Sequence, residues 1–479
     1  MNLSTLNKKL QNFSKINHKD PYWICNPYLF VIKDHLNEKN KYLINNNKLI
    51  KNSIIFLKNL LIHILQNFYY IIFCIYKKDN KNYLKFLDNK TNNNFLIISH
   101  LINEKHLKNK DDFYMNNFEN LLSKNNMNYD LLLLNNTGKT SNELKFSDRI
   151  SKITFPLYGN IFEECYLFLK RIQFLIYSLY FFRNSFKKNF LLYLVVCFSA
   201  FHPQYRFNQL ICLYLKKIFL HKKYRFILNT YEGHAIDRMI KCLCKINNKK
   251  IYNFGYYHGS YFDNLITCKN KISNFLFPDY IFVSSKEVKK IFNKKKFKVF
   301  KINKNKINIE KYHTKEKICA VLPEGVISEV LLFITNINQL AEDNSNIKFI
   351  FKLHPVLENN LEIIDKFKKL KSKNVYLTFD KNFLLKKSKW CIHRGSSSVI
   401  EYTYNGTFPL YMDLPKEKNT DPLIKFGYKS KRYFKTTDQF NKIVNSNIDK
   451  NSIKKLINFS KSYFYSTNDD SNKILKILK

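Results

Sequence analysis

The alternation of short apolar runs with helical patterns constrains the fold of this chain more than any other feature of its sequence. Helical patterns lie between the runs, for example from Ile236 to Ile246, where apolar residues recur every three or four positions. Such alternation is typical of parallel sheets covered by helices, so the sequence predicts an α/β protein. The runs that predict buried strands cover residues 95–99, 130–134, 225–228, 250–256, 280–283, 317–322, 348–353, 375–378, 390–393 and 408–412.

A lysine-rich segment divides this pattern into two parts. Residues 291–316 contain few long apolar runs, which favours a linker. We therefore expect an N-terminal α/β domain over residues 1–300 and a C-terminal α/β domain over residues 315–450, followed by a C-terminal helix over residues 451–479. The runs FLIYSLYFF and NFLLYLVVCFSAF predict an apolar helical segment over residues 161–221, inside the first domain.

The chain is strongly basic. Its 81 Lys and Arg residues outnumber 37 Asp and Glu residues, which gives a net charge of +44. The lysines are spread through every segment rather than over one face, so we do not expect nucleic acid as a partner. The charge still favours peripheral contact with an anionic membrane. The ten cysteines show no metal-ligand spacing, so we expect reduced thiols in a cytoplasmic protein.

One apolar stretch raises the question of a membrane span. Residues 59–76 contain no formal charge over eighteen positions, but His63, Gln66 and Asn67 fall on one helical face. We expect a buried or interfacial helix, with a true span as the alternative. The first twenty residues contain no apolar core of a signal peptide, so we expect a cytoplasmic protein at the inner membrane surface.

The stretch CIHRGSSSVIEYTYNG, Cys391 to Gly406, predicts a buried strand, a polar turn and a short helix. Ser398 and Glu401 have the spacing of a capping box, which opens a helix and leaves N–H donors at its start. Arg394 and the hydroxyls of Ser396 and Ser397 stand beside that start, so the turn can bind an anion. The alternative is a capped helix with a surface arginine.

Polar residues follow many of the predicted strands. Since ligands of open α/β sheets bind at the carboxyl ends of the strands, these positions are candidates for a binding site. Each has a plain alternative, because a single histidine or acid at a strand end is more often structural. The candidates are Glu232, His258, Ser284, Glu324, His354 and Arg394, with Lys352 and Gly325 beside two of them.

The order of the motifs resembles a known family. GYYHGS, FPDYIFVSS, VLPEG, FKLHP, HRGSSSVIEYTYNGTFPLY and a later DPL are similar to the surface-carbohydrate biosynthesis proteins of bacterial O-antigen clusters. They are more distantly similar to CDP-glycerol glycerophosphotransferases and capsule sialyl- and Kdo-transferases. The resemblance covers about Tyr224 to Leu423 and implies a GT-B fold, with two Rossmann-like domains facing each other across a cleft.

The resemblance also implies roles for single residues. His354 and Ser396 to Ser398 would hold the donor phosphate, and Glu401 would touch the ribose. His258 would be the base on the acceptor side, as in the glycerophosphotransferases. Those enzymes follow the HG pair with Thr-Pro-Leu-Lys, whereas this chain has Ser260 to Asp263. This departure leaves the phosphoalcohol substrate open and keeps Glu232, placed like the sialyltransferase acid, as a rival base.

The expected function is therefore glycosyl transfer from a nucleotide-activated sugar to a surface polysaccharide or a lipid-linked glycan. No D-x-D pair stands near a predicted strand end, so no metal is expected. Two other functions share these motifs: a CDP-alcohol phosphotransferase of cell-envelope polymer synthesis, and a non-catalytic glycan-assembly protein. A nucleic-acid-binding protein is a third alternative, which would bind with a steep salt dependence.

Overall fold

The computed structural model describes most of the chain, apart from single residues and short runs inside its ranges. All the candidate site residues fall in the described part, whereas Gly259 and Ser260 to Asp263 lie outside it. The described ranges are residues 10–29, 49–76, 79–144, 152–185, 193–247, 251–258, 276–302, 315–414, 420–423, 432–446, 450–464 and 470–478.

Two parallel sheets form the framework. The first contains β1 (Phe95–Leu101), β2 (Tyr129–Asn135), β3 (Lys152–Thr154), β4 (Phe226–Thr230), β5 (Tyr252–Tyr257), β6 (Tyr280–Val283) and β7 (Val299–Lys301). The second contains β8 (Glu316–Leu322), β9 (Lys348–Lys352), β10 (Val375–Thr378), β11 (Ser388–His393), β12 (Phe408–Met412) and β13 (Tyr433–Phe434). The predicted α/β fold with two Rossmann-like sheets is confirmed.

The helices follow the strands in alternation. The first half of the chain contains α1 (Pro21–Ile24), α2 (Leu49–Tyr76), α3 (Lys81–Asp88), α4 (Asn116–Lys124), α5 (Ile161–Phe182), α6 (Pro203–His221), α7 (Ala235–Ile246) and α8 (Lys286–Asn293). The second half contains α9 (Ile327–Asp343), α10 (Leu361–Lys368), α11 (Lys381–Lys387), α12 (Ser398–Tyr404), α13 (Thr437–Asn445), α14 (Lys450–Phe464) and α15 (Ser471–Leu478). Short 3-10 helices cover Pro27–Leu29, Arg183–Ser185, Ser199–Phe201 and Pro355–Leu357.

Both sheets have the same doubly wound strand order. The first runs β3-β2-β1-β4-β5-β6-β7 and the second runs β10-β9-β8-β11-β12-β13. In each sheet the first three strands are added one after another toward one edge. The next strand pairs with the other side of the first one, and the remaining strands are added toward the opposite edge. The order therefore reverses between β1 and β4 in the first sheet, and between β8 and β11 in the second. Crevices at such reversals are where open α/β sheets bind ligands.

The strands are apolar because both faces of each sheet are covered. In the first sheet, Ile98 of β1 packs in a cluster with Met239 and Leu243 of α7. Ile97, on the opposite face of β1, packs in a cluster with Phe118 of α4 and Ile474 of α15. The end of the chain thus lies against the first sheet. Continuous burial explains why these strands appear as unbroken apolar runs rather than alternating patterns.

The tail, predicted as one helix over residues 451–479, contains two helices, α14 and α15, among the described residues. The ten predicted strands are confirmed, but three strands were missed. β3, β7 and β13 are only two or three residues long, so they carry too little periodicity to detect. The linker prediction over residues 291–316 is wrong at Val299–Lys301, where β7 extends the first sheet through pairing with β6. Residues 303–314 of that predicted linker lie outside the described residues.

Candidate active site

Polar side chains gather at the reversal point of the first sheet. His100 lies near the end of β1, Glu232 and His234 follow β4, and His258 follows β5. These three strands are neighbours, so their carboxyl ends meet at one edge of the sheet. Glu232 and His258, which lie far apart in the sequence, are therefore brought together as predicted by their positions after strands.

Glu232 connects two histidines. Its Oε2 lies 3.1 Å from Nε2 of His234, which is hydrogen-bond distance, and its Oε1 lies 3.6 Å from Nε2 of His258. The ring of Tyr114 packs edge-on against the ring of His258, with 4.7 Å between their centroids. One carboxylate can therefore orient two imidazoles, while Tyr114 restricts the rotation of His258.

A buried aspartate fixes the loop that carries Glu232. Oδ2 of Asp237 accepts the backbone N–H groups of Glu232, Gly233 and His234, at 2.9, 3.0 and 3.0 Å. Gly233 has a φ of +81°, a conformation that glycine adopts without strain. Burial raises the pKa of Asp237 to about 6, although the His234 charge and these N–H groups lower it. The carboxylate of Asp237 thus holds the turn after β4, independently of any ligand.

The histidines determine the charge of this cluster. Burial alone would raise the pKa of Glu232, but the hydrogen bond from His234 and the charges of His258 and His100 lower it to about 2. Burial, together with the charges of His234 and His258, lowers the pKa of His100 to about 4, against the opposing effect of the Glu232 charge. Glu232 is therefore a carboxylate at neutral pH and a weak acceptor of protons.

A second polar group lies at the reversal point of the other sheet. Three loops follow the adjacent strands β9, β8 and β11, and they carry His354, Glu324 with Gly325, and Arg394 with the serines. Gly325 lies directly against the His354 ring, since a Cβ at this position would be 3.1 Å from its Nδ1. The VLPEG and FKLHP motifs thus form one surface.

His354 is arranged as a neutral hydrogen-bond donor. Its Nδ1 accepts the N–H of Val356 at 3.4 Å, so the proton of the neutral ring lies on Nε2. Burial lowers the pKa of His354, and the charge of Lys352 lowers it further. Lys352 itself pairs with Glu358 at 2.7 Å and donates to the Leu353 carbonyl, so its ammonium already has protein partners.

The serine turn differs from its prediction. Ser397 occupies the N-cap of α12 with φ −67° and ψ −17°, a helical conformation that does not direct its side chain at the free N–H groups. Glu401 does not reach back to the cap, because its carboxylate pairs with Lys381 at 2.5 Å. The predicted capping box of Ser398 and Glu401 is therefore wrong.

The hydroxyls of the turn remain available to a ligand. Within the described part of the chain, the Oγ atoms of Ser396, Ser397 and Ser398 make no hydrogen bond. Arg394 is 5% exposed, and its guanidinium lies close enough to the Tyr411 hydroxyl to lower the pKa of that group, which burial raises. A buried arginine beside three free hydroxyls is suited to bind an anion.

Several residues of the two groups were missed at the sequence level. His100, His234, Tyr114 and Lys381 join the site through contacts between separate elements, which periodicity does not reveal. His100 directly follows the run predicted as a strand, so the strand-end argument could have found it. Ser284 is buried after β6, and its side chain is hydrogen-bonded to the Tyr256 hydroxyl, so it already has a protein partner. No cluster of three His, Cys, Asp or Glu with metal-binding geometry occurs among the described residues.

Comparisons with known proteins found similar solved structures but no matching sequence family. No family model and no curated protein matches the sequence. Similar solved structures include the S. aureus MnaA–UDP complex, with a TM-score of 0.45, 11% identity, and 81% of this chain and 96% of that chain covered. A UDP-GlcNAc 2-epimerase from Neisseria meningitidis bound to UDP-GlcNAc has a TM-score of 0.46, 12% identity, and 80% and 99% coverage. Phytolacca americana UGT2, complexed with UDP-2fluoro-glucose and pterostilbene, has a TM-score of 0.44, 10% identity, and 81% and 99% coverage.

Proposed function

We propose that the protein is a glycosyltransferase that moves a sugar from a nucleotide-activated donor to a surface polysaccharide or a lipid-linked glycan. One observation carries the proposal. The residues with candidate roles in donor and acceptor chemistry lie at the reversal points of two sheets that share one doubly wound order. This placement is expected of a ligand site and is not required by packing alone.

The donor phosphate binds at the second sheet. Nε2–H of His354, the guanidinium of Arg394 and the hydroxyls of the serine turn are donors, and phosphate oxygens are acceptors. Arg394 is buried, so its bond to a phosphate forms where competition from water is weak. Gly325 leaves room for a close approach because it has no side chain in front of His354.

The acceptor is activated at the first sheet. His258 removes the proton from an acceptor hydroxyl as that oxygen forms a bond to the anomeric carbon of the donor sugar. The bond from this carbon to the phosphate oxygen breaks, and its electron pair leaves with the nucleotide phosphate. Arg394 and His354 stabilise the charge that develops there.

Glu232 supports the base rather than acting as the base. With a pKa near 2, its carboxylate is a poor proton acceptor at neutral pH. Its Oε1, 3.6 Å from Nε2 of His258, stabilises the imidazolium that forms when His258 takes the proton.

A product assay tests this function. The purified protein is incubated with a panel of labelled nucleotide sugars and lipid-linked or oligosaccharide acceptors, and the products are separated by mass. We expect one donor to give a glycosylated acceptor and free nucleotide, with no added metal required. Transfer of a phosphoalcohol from a CDP-alcohol, or no turnover with any donor, would contradict the proposal.

A further inference from the structure

Helices α2 and α5 expose an unusually apolar surface. Each helix carries a stripe of exposed apolar side chains, and the two stripes meet at Phe68 of α2. Phe68 is 49% exposed, and its ring lies 5.7 Å from the ring of Phe168 of α5, measured between centroids. We call this surface the α2–α5 face. Six aliphatic residues on it are each between 57% and 63% exposed, namely Leu57, Leu61, Leu65, Ile72, Leu169 and Ile176.

The spacing of these residues makes the face continuous. On α2 the exposed residues follow one another at intervals of three or four positions, from Leu57 through Leu61 and Leu65 to Ile72 with Phe68 between. Such intervals place side chains on one side of a helix. Leu169 and Ile176, seven residues apart, do the same on α5. Apolar patches of this kind on a protein surface mark interaction sites.

The opposite side of α2 is attached to the protein. Asn67 is fully buried and donates to the carbonyl of Phe201 at 2.7 Å, and the His63 ring contacts the His202 ring at 5.0 Å. Among the described residues, Phe56–Tyr76 is the one helical stretch long and apolar enough, by length and composition, to cross a membrane. A helix whose polar side is bonded to its own domain cannot be surrounded by lipid, so α2 is placed to lie along a membrane.

Charge identifies the partner as an anionic bilayer. The sequence contains no acidic residue from Phe56 to Tyr76 or from Cys165 to Ser185. Lys58 is exposed beside the α2 stripe, and Arg183 at the end of α5 lies over the Tyr180 ring, 4.1 Å from its centroid. Pairing this face with a second copy would bring together two chains of charge +44, whereas anionic lipid attracts both the cations and the total charge.

We propose that the α2–α5 face inserts into the surface of an anionic lipid bilayer and holds the protein there without spanning it. The apolar side chains enter the boundary between headgroups and acyl chains, while Lys58 and Arg183 contact lipid phosphates. Tyr69, Tyr76 and Tyr180 are exposed at the same face, and tyrosine is enriched at membrane interfaces.

The orientation of the face relates it to the candidate active site, a step that rests on the proposed function. Helix α5 begins shortly after the carboxyl end of β3, at the same edge of the sheet as Glu232 and His258. The ring of Phe73, near the end of α2, lies 5.2 Å from the ring of Tyr158, just before α5. A lipid-linked acceptor can therefore reach the first sheet from the bilayer to which the face binds.

Vesicle flotation tests the inference without any assay of activity. Full-length protein is mixed with vesicles of phosphatidylcholine alone, or of phosphatidylcholine with phosphatidylglycerol. We expect binding to the anionic vesicles, reduced by about tenfold for each of Leu61→Glu, Ile72→Glu and Leu169→Glu, the loss expected for one aliphatic side chain. The control Leu361→Glu, at a residue 74% exposed on the second half of the chain, should bind like the wild type. No binding by the wild type, or equal binding by the face variants, would overturn the inference.

A variant without an added charge tests the inference even if the glutamate variants misfold. Leu65→Trp keeps the face apolar, and its fluorescence should shift to the blue and be quenched by brominated phosphatidylglycerol. Absence of both changes would overturn the inference. Alkaline carbonate should release the protein from the vesicles, so a requirement for detergent would show a span instead. Sedimentation that finds a dimer broken by Leu61→Glu, with vesicle binding unchanged, would assign the face to a second copy.

Discussion

Oε1 of Glu232 lies 3.6 Å from Nε2 of His258, although 26 positions separate the two residues in the sequence. The pairing arises because β4 and β5 are neighbours whose loops leave the same edge of the first sheet. The sequence alone presents the two residues as rival bases. In the proposed mechanism, Glu232, whose pKa is lowered to about 2, orients and stabilises His258, and the His258 imidazole accepts the proton.

The first prediction separates these roles by kinetics. His258→Ala should lower kcat by roughly 10²- to 10⁴-fold with donor affinity nearly unchanged, because a general base acts on the acceptor and not on the phosphate. Glu232→Gln should keep measurable turnover, and the acid limb of its pH–rate profile should move to lower pH. The reason is that the carboxylate favours the protonated imidazole. Loss of turnover in Glu232→Gln with retention in His258→Ala would reverse the assignment.

The second prediction concerns the contact between the VLPEG and FKLHP loops. Gly325→Ala should push the His354 ring away, since the new Cβ would be 3.1 Å from Nδ1 and 3.2 Å from Cγ. We expect donor affinity to fall about fivefold, which corresponds to roughly 1 kcal/mol of local overpacking. The control is the same substitution in a His354→Ala background, where its effect should disappear. An equal loss in both backgrounds would show that Gly325 does not act through His354.

The third prediction concerns the serine turn. Ser398→Ala should change the free energy of unfolding by less than about 0.5 kcal/mol, because its hydroxyl caps no helix. Asn360→Ala is the matched control: Oδ1 of Asn360 accepts the N–H of Ile363 at 3.1 Å, and losing such a cap costs about 0.5–2 kcal/mol. Urea denaturation measures both. A Ser398→Ala loss as large as that of Asn360→Ala would restore the capping role.

The fourth prediction is a pH dependence of stability. His393 is fully buried next to Arg432 and Tyr411, and its Nε2 lies 3.9 Å from Oδ1 of Asp421. Burial lowers the pKa of His393 from 6.5 to about 4. Between pH 6.5 and 4 the unfolded chain binds a proton at this residue and the folded chain does not, so stability falls as the pH falls through this window. Urea melts at several pH values give the free energy of unfolding as a function of pH. His393→Asn, which cannot titrate in this window, should make that dependence shallower. An unchanged slope would contradict this account.

Much of the framework was predictable from local sequence. Ten strands were found because parallel sheets covered on both faces give unbroken apolar runs, as in DLLLL of β2 and KICAVL of β8. The positions of Glu232, His258, His354 and Arg394 followed from one rule, that polar residues after parallel strands share an edge.

The features that the sequence did not predict correctly depend on contacts between separate helices and strands. The capping box of Ser398 and Glu401 had the correct spacing, but Lys381 of the preceding helix competes for the carboxylate. His234 was visible in YEGHAIDR, yet its bond to Glu232 needs the turn that Asp237 holds. The strand β7 in the lysine-rich segment exists because β6 offers an edge to pair with, which no local pattern records.

We propose that a nucleotide phosphate binds at the reversal point of the second sheet. Titration calorimetry with a panel of nucleotides and nucleotide sugars measures this binding. For the best ligand, Arg394→Ala and His354→Ala should each weaken binding by about 1–3 kcal/mol, the range for a hydrogen bond to a charged group. Lys387→Ala removes a half-buried cation that pairs with Glu316 elsewhere on the second half of the chain, and it should leave the affinity unchanged. The account is contradicted if the affinity of the best ligand is unchanged in both Arg394→Ala and His354→Ala.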